Sequence, residues 1–163
     1  YQDPEEGGWR IVSEGCHWID LISFLTRSAP VSVSANMIGG ASAGGQNDSC
    51  IALIEFSNGS IASLGYFSNG EASFAKERIE VFGQTKVGVI DNWRVATLHG
   101  GGKSRSIKPS GTGKGHGLEM QQFVDAVASG ADSPISVDSA VATTRTALRI
   151  QESLAKGGER IAI

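Results

Sequence analysis

Five side chains that can move protons or bind polar groups crowd into eight positions: Ser13, Glu14, Cys16, His17 and Asp20. On a helix, Ser13 and Glu14 lie four and three residues before His17, and Asp20 lies three after it. All three then fall within one turn of the histidine. An imidazole set among hydroxyl and carboxylate groups is suited to general acid–base work near neutral pH. The same residues also fit a partly buried helix histidine with Asp20 making a local bond. Residue types alone leave both readings open.

Metal chemistry fits less well. Adjacent helix residues point about 100° apart, so Cys16 and His17 share one ion poorly. The other histidines are His99 and His116, and neither a CxxC nor an HExxH pattern occurs; no metal site is expected. The glycine runs are also weak as phosphate cradles. Gly100-Gly101-Gly102-Lys103-Ser104 ends like a P-loop, but the first glycine of that motif would fall at Thr97 and no helix follows. Gly111-Thr112-Gly113-Lys114-Gly115-His116-Gly117 lacks the dinucleotide-binding spacing. Both runs read as turns.

The elements that must hold residues 13–20 can be read from periodicity. Trp18, Leu21, Ile22 and Leu25 recur at helical spacing, so a helix is expected from about Ser13 to Leu25. Ser13 would cap it and Glu14 would sit near the positive end of its dipole. Arg27-Ser28-Ala29-Pro30 would stop it. Residues 1–8 form a lead-in ending in two glycines, and Gly39–Asn47 is a loop of small residues.

The period then changes to two. Val31, Val33, Ala35 and Met37 alternate with Ser32, Ser34 and Asn36, the pattern of a half-buried strand. Cys50–Phe56 reads as a well-buried strand. Asn58-Gly59 signals a hairpin, and Ile61–Phe67 is the return strand. Segments 76–82, 86–90, 94–98 and 104–108 complete about seven strands. Links this short require mostly antiparallel neighbours. From His116 the helical period returns through Met120, Phe123, Val124 and Val127, with Gly130 placed as a C-terminal cap. A last helix over about 138–156 would pack through Val141, Ala147, Leu148 and Leu154 and end at Gly157-Gly158. Residues 161–163 suggest a short terminal strand. The fold class is therefore α+β: an open, mostly antiparallel sheet with helices on one face. Leu64, Tyr66 and Phe67 hint at a partly apolar patch on the sheet, through which the chain is expected to form a homo-oligomer.

At 163 residues the chain fits one domain, 1–163, able to bury roughly 70% of its unfolded surface. A net charge of −3 gives no electrostatic footprint for nucleic acid or an anionic membrane. No apolar run approaches the ~20 residues of a membrane span. Two cysteines without a paired framework suit a cytoplasmic location. A chain opening at Tyr1 reads as processed, truncated or a cut-out domain.

The segment Gly7-Gly8-x-x-Ile11-x-x-x-x-Cys16-His17-x-Ile19-Asp20-Leu21 resembles the opening of the C-terminal domain of the glucose–fructose oxidoreductase/inositol dehydrogenase/MocA (Gfo/Idh/MocA) family. The resemblance continues through Phe56-Ser57-Asn58-Gly59-Ser60, Glu80-Val81-Phe82-Gly83, the stretch from Gly115 to Ala126, and Ser153-Leu154-Ala155-Lys156-Gly157. It implies a fold of the dihydrodipicolinate-reductase C-terminal type, with helices on one sheet face and oligomer contacts on the other. It further implies an NAD(P)-dependent oxidoreductase acting by hydride transfer on a sugar, nucleotide sugar or polyol. NAD or NADP would be bound mainly by an N-terminal Rossmann domain absent from this chain, which also carries a substrate-contacting lysine.

The family's catalytic histidine maps onto His17, whose implied role is to exchange a proton with a substrate hydroxyl. The family aspartate four residues earlier maps onto Ser13, which holds no charge; Glu14 is the implied substitute. Trp9, Arg10, Ser13 and His116 are the implied substrate-side residues, although His116 also suits a helix-capping role. Two other readings stay open: a non-catalytic relative serving as a ligand-binding or assembly module, and a free-standing α+β binding module.

Overall fold

The computed structural model describes residues 9–39, 48–108 and 115–163. The lead-in, most of the small-residue loop after Gly39, and the start of the second glycine run therefore lie outside the described residues. Contacts divide the chain into two compact units, Tyr1–Asn69 with Ile135–Ile163, and Gly70–Pro134.

In the first unit, β1 (Pro30–Met37), β2 (Cys50–Phe56), β3 (Ile61–Tyr66) and β8 (Ile161–Ala162) form an antiparallel sheet in the order β3-β2-β1-β8. Three helices pack on it: α1 (Trp9–Ser13), α2 (Gly15–Thr26) and α4 (Val137–Ala155). Ile19, Ile54 and Ile150 are completely buried between them, each contributing about 1.5–3 kcal/mol relative to an exposed position.

The expected strand periodicity holds along most of β1 and changes at its start. Val33, Ala35 and Met37 face the core, but a register shift between Pro30 and Ser32 reverses the alternation. Val31 is thereby turned out and Ser32 is buried, donating to Glu55 Oε2 at 2.8 Å. In β2 only Cys50, Ala52, Ile54 and Phe56 are buried; Ile51 and Leu53 face outward, so the strand is buried on one face rather than both. The hairpin to β3 turns at Asn58-Gly59 as expected. Gly59 has φ 84°, its N–H donates to the Phe56 carbonyl at 2.9 Å, and Asn58 Oδ1 accepts from the Ser60 N–H.

The packing of α4 differs from its apolar pattern. Ala147 and Leu154 are buried with Thr143, Thr146, Ile150 and Ser153, whereas Val141 and Leu148 are exposed. Small residues let this helix approach β1 closely. Terminal β8 pairs with β1 at Ser32 and Val33, with the Ile163 N–H donating to the Val31 carbonyl, and among the described residues no strand covers the rest of that edge. The buried Ser153 hydroxyl accepts the Ala35 N–H at 2.8 Å and donates to the Glu159 carbonyl at 2.6 Å. Unpaired backbone groups of a buried edge require such partners. Gly157 and Gly158, both at positive φ, end α4 as expected.

In the second unit, β4 (Arg78–Gly83), β5 (Lys86–Asp91), β6 (Val95–Gly100) and β7 (Lys103–Ile107) form an antiparallel meander. Gly101 and Gly102, at φ 58° and 71°, make the two-residue turn between β6 and β7. Helix α3 (His116–Ser129) ends at Gly130, whose N–H reaches the Ala126 and Val127 carbonyls. The eight strands among the described residues are antiparallel throughout, in two four-stranded ladders.

Candidate functional site

The segment expected to form one helix from Ser13 is two helices with a break at Glu14. Ser13 is the last residue of α1, and its hydroxyl donates back to the Trp9 carbonyl at 3.3 Å instead of capping α2. Glu14 occupies the N-cap position of α2 with φ −122°, but its side chain makes no capping bond. Its backbone carbonyl accepts the His17 N–H at 3.2 Å. A short acceptor such as aspartate or serine at this position normally contributes about 0.5–2 kcal/mol by accepting from the first helical N–H groups. Here the carboxylate turns away and accepts the Tyr66 hydroxyl from the end of β3.

Arg10 joins this pair from α1. Its Nε lies 3.3 Å from Asp48 Oδ2, and its backbone N–H donates to Asp48 Oδ1 at 3.4 Å. The Asp48 side chain is 1% exposed, while that of Arg10 is 40% exposed, so the ion pair is sunk at its acidic end. The Tyr66 phenol, followed by the Glu14 and Asp48 carboxylates, holds the Arg10 pKa above its ordinary value. Burial and the Glu14 hydrogen bond raise that of Tyr66, and Arg10 partly offsets them. Tyr66 therefore stays a protonated donor at neutral pH. Behind Asp48, burial pushes the Cys50 thiol up to about 11, which makes it a packing residue and not a nucleophile.

Trp9 begins α1 at φ 66°, a conformation costly for a bulky residue. Its indole N–H is buried and has no acceptor among the described residues. With Ile11, Met37, Asp48, Cys50 and Leu154 it lines a narrow crevice. His17 sits in the first turn of α2 with an exposed side chain, and no hydrogen bond reaches its ring from any described residue. Cys16 is half-buried, its thiol directed to the Ser13 carbonyl at 3.7 Å. Ile19 and Gly15, four residues apart, are the buried centre of α2, with Trp18 and Ile22 beside them; Leu25 is exposed.

Of the residues singled out from the sequence, Arg10 and Glu14 thus converge through Tyr66, and His17 follows Glu14 by one turn. Ser13 is occupied with its own helix. His116 belongs to the second unit, exposed at the first position of α3; Gly115, at φ 93°, holds the cap position. Tyr66 and Asp48 were not singled out as site residues. Tyr66 was legible in one respect: it alternates with Leu64 onto the inner face, and an inward tyrosine hydroxyl needs a partner. Among the described residues no group of three or more His, Cys, Asp or Glu side chains is placed to hold a metal ion, and no helix is long and apolar enough to cross a membrane.

A family model described as the GFO/IDH/MocA C-terminal domain matches residues 1–87. No curated protein matches. Among solved structures, an oxidoreductase domain protein from Kribbella flavida is similar at 18% identity and TM-score 0.79, covering 99% of this chain and 53% of its own. A UDP-N-acetylglucosamine 3-dehydrogenase from Acidithiobacillus ferrooxidans is similar at 18% identity and TM-score 0.73, covering 86% and 45%. An oxidoreductase from Agrobacterium radiobacter, solved with NAD+, L-tartaric acid and magnesium, is similar at 14% identity and TM-score 0.73, covering 91% and 47%. At these identities the likeness is one of fold. The chain spans about half the length of these structures.

Proposed function

The chain belongs to the GFO/IDH/MocA C-terminal domain family, and on that premise we propose that residues 1–163 are the substrate-side domain of an NAD(P)-dependent oxidoreductase. Its substrate is a sugar, nucleotide sugar or polyol, oxidised or reduced at a carbinol carbon. The observation that carries this reading is the exposed His17 ring, one turn beyond a carboxylate held by a tyrosine from the sheet.

His17 exchanges a proton with the substrate hydroxyl, and Glu14, three residues before it, stands in for the family aspartate. Trp9, Arg10, Ser13 and His116 are the substrate-side candidates. Gly100–Gly102 lies in a hairpin between two strands, and most of the second glycine run, residues 111–114, lies outside the described residues. As membership of this family implies, NAD or NADP is bound mainly by a Rossmann domain of the parent protein, where the nicotinamide would supply hydride transfer. Of the expected contact patch, Leu64 and Tyr66 face the core and only Phe67 is exposed; the outward face of the first sheet, where Phe67 joins Ile51, Leu53 and Ile61, is the proposed homo-oligomer contact. A cytoplasmic location is consistent with the free cysteines Cys16 and Cys50.

A second reading rests on Ser13. With its hydroxyl bonded to the Trp9 carbonyl and no charge to offer, a non-catalytic relative that binds a ligand or assists assembly is the alternative. Product analysis with the complete protein on a panel of sugars and polyols, with NAD+ and NADP+, separates the two. Turnover on any member supports the dehydrogenase; binding without turnover supports the non-catalytic relative.

A further inference from the structure

We infer that Tyr66 is a positioning residue for proton transfer: its hydroxyl, donating to the Glu14 carboxylate, fixes that carboxylate at the break between α1 and α2 that presents His17. This rests on the dehydrogenase reading and extends it to a residue on a different element of the sheet.

The geometry argues for more than incidental contact. The carboxylate at an N-cap has local partners available in the free N–H groups of its own helix. Glu14 uses none of them. It is instead held by a strand residue 52 positions away, beside an arginine from the preceding helix. The break itself is braced on both sides. Ser13 is tied back to Trp9, and an added Cβ at Gly15 would meet Ile11 Cδ1 at 2.7 Å, so the two helices meet too closely for the hinge to drift freely. Because the Glu14 carbonyl accepts the His17 N–H, whatever fixes Glu14 also fixes the first turn that carries the imidazole.

The titratable groups that bear on Glu14 are Tyr66 from β3 and Arg10 from α1, with Cys16, His17 and Asp20 following it in α2; Arg10 in turn pairs with Asp48, just before β2. The buried face of α4, which packs against α1 and α2, carries Thr143, Thr146, Ala147, Ile150, Ser153 and Leu154 and no ionisable group. Misplacing a proton-transfer group by about 1 Å is enough to cost on the order of a hundredfold in rate.

Two measurements test the inference. In the complete protein, with a substrate found by the panel above, Tyr66→Phe should lower kcat about ten- to a hundredfold with KM changed less than about threefold. An unchanged kcat with only a lower Tm would reduce Tyr66 to a structural residue and overturn the inference. The second measurement needs no substrate: ultraviolet titration of the phenols, of which the chain has two. Glu14→Gln should lower the Tyr66 midpoint and Arg10→Met should raise it. A midpoint indifferent to Glu14→Gln overturns the inference even where Tyr66→Phe fails to fold. If the midpoint responds but the wild-type protein turns over nothing on the panel, the dehydrogenase reading fails, and the inferred role in proton transfer fails with it, leaving only the contact.

Discussion

The Tyr66 hydroxyl donates to the Glu14 carboxylate across 52 residues of chain, joining the end of β3 to the break between α1 and α2. That one bond turns a run of reactive residue types into an arrangement with a direction. The carboxylate faces the sheet, while the imidazole one turn later faces solvent.

His17 is separable from the fold. Its ring is exposed and takes no hydrogen bond from the described residues, so His17→Ala should leave Tm within a degree or two. In the complete protein the same change should lower turnover by roughly 10²–10⁴ if His17 is the general acid–base. Steady-state kinetics beside a thermal melt checks both; a change in rate below about threefold removes His17 from the mechanism.

Arg10 and Asp48 should behave asymmetrically. Arg10→Met removes the ion partner of a carboxylate that is 1% exposed and leaves it uncharged donors such as the residue 10 backbone N–H, which should lower stability. Asp48→Asn removes the buried charge and leaves Arg10 with access to water, so its cost should be smaller. Urea unfolding of the two variants ranks them, and the reverse order would contradict the pairing.

Gly15→Ala sets two effects against each other. Alanine favours the helix by up to about 1 kcal/mol over glycine, but its Cβ would lie 2.7 Å from Ile11 Cδ1, and overpacking costs about 1–3 kcal/mol. The change should be neutral to destabilising in the native background. After Ile11→Val, which deletes Cδ1, it should become stabilising. A double-mutant cycle reads the coupling, and its absence would show that the helices move apart without penalty.

The Arg160–Glu55 pair on the sheet gives an acid-side signature. The Arg160 hydrogen bond, with help from Ser32, holds the Glu55 carboxyl below its usual range. A carboxylate depressed by folding stabilises fully above its unfolded value of about 4.3, and that contribution is lost as pH falls through the folded value. Arg160→Met should therefore lower Tm at neutral pH, and the difference between the two variants should shrink as the pH falls below the unfolded value and through the folded one. A difference independent of pH would assign the loss to packing.

The two cysteines should differ in reactivity. With its pKa pushed up to about 11, Cys50 holds about one thiolate in a thousand at pH 8 and is also buried. Iodoacetamide at that pH should label Cys16 in the folded chain and Cys50 only after denaturation. Peptide mass spectrometry distinguishes them, and early labelling of Cys50 would mean that the crevice beside Trp9 opens.

Short-range signals were readable wherever one residue type decides one backbone state. Gly59, Gly130 and Gly157 each take the positive φ their placement implies, and the alternation of Val33, Ala35 and Met37 locates the inner face of β1. Reading failed where a neighbour outweighed a local preference. Val31 and Ser32 exchange faces because a register shift intervenes. Val141 and Leu148 mark the apolar stripe of α4, but its buried side is the one small enough to approach β1 and supply Ser153 to the Ala35 N–H.

The same division holds at the candidate site. By itself the sequence determined the order of elements, the antiparallel α+β class, the family resemblance and the clustering of Ser13, Glu14 and His17, because periodicity, turn chemistry and motif order are local properties of the chain. Only the tertiary structure decided that the helix breaks at Glu14, that Ser13 is spent on Trp9, that Tyr66 binds the Glu14 carboxylate, and that Arg10 beside them pairs with Asp48. Those partners lie up to 52 residues apart. Which donor a buried carboxylate meets depends on where packing brings the chain back, and no local spacing records that.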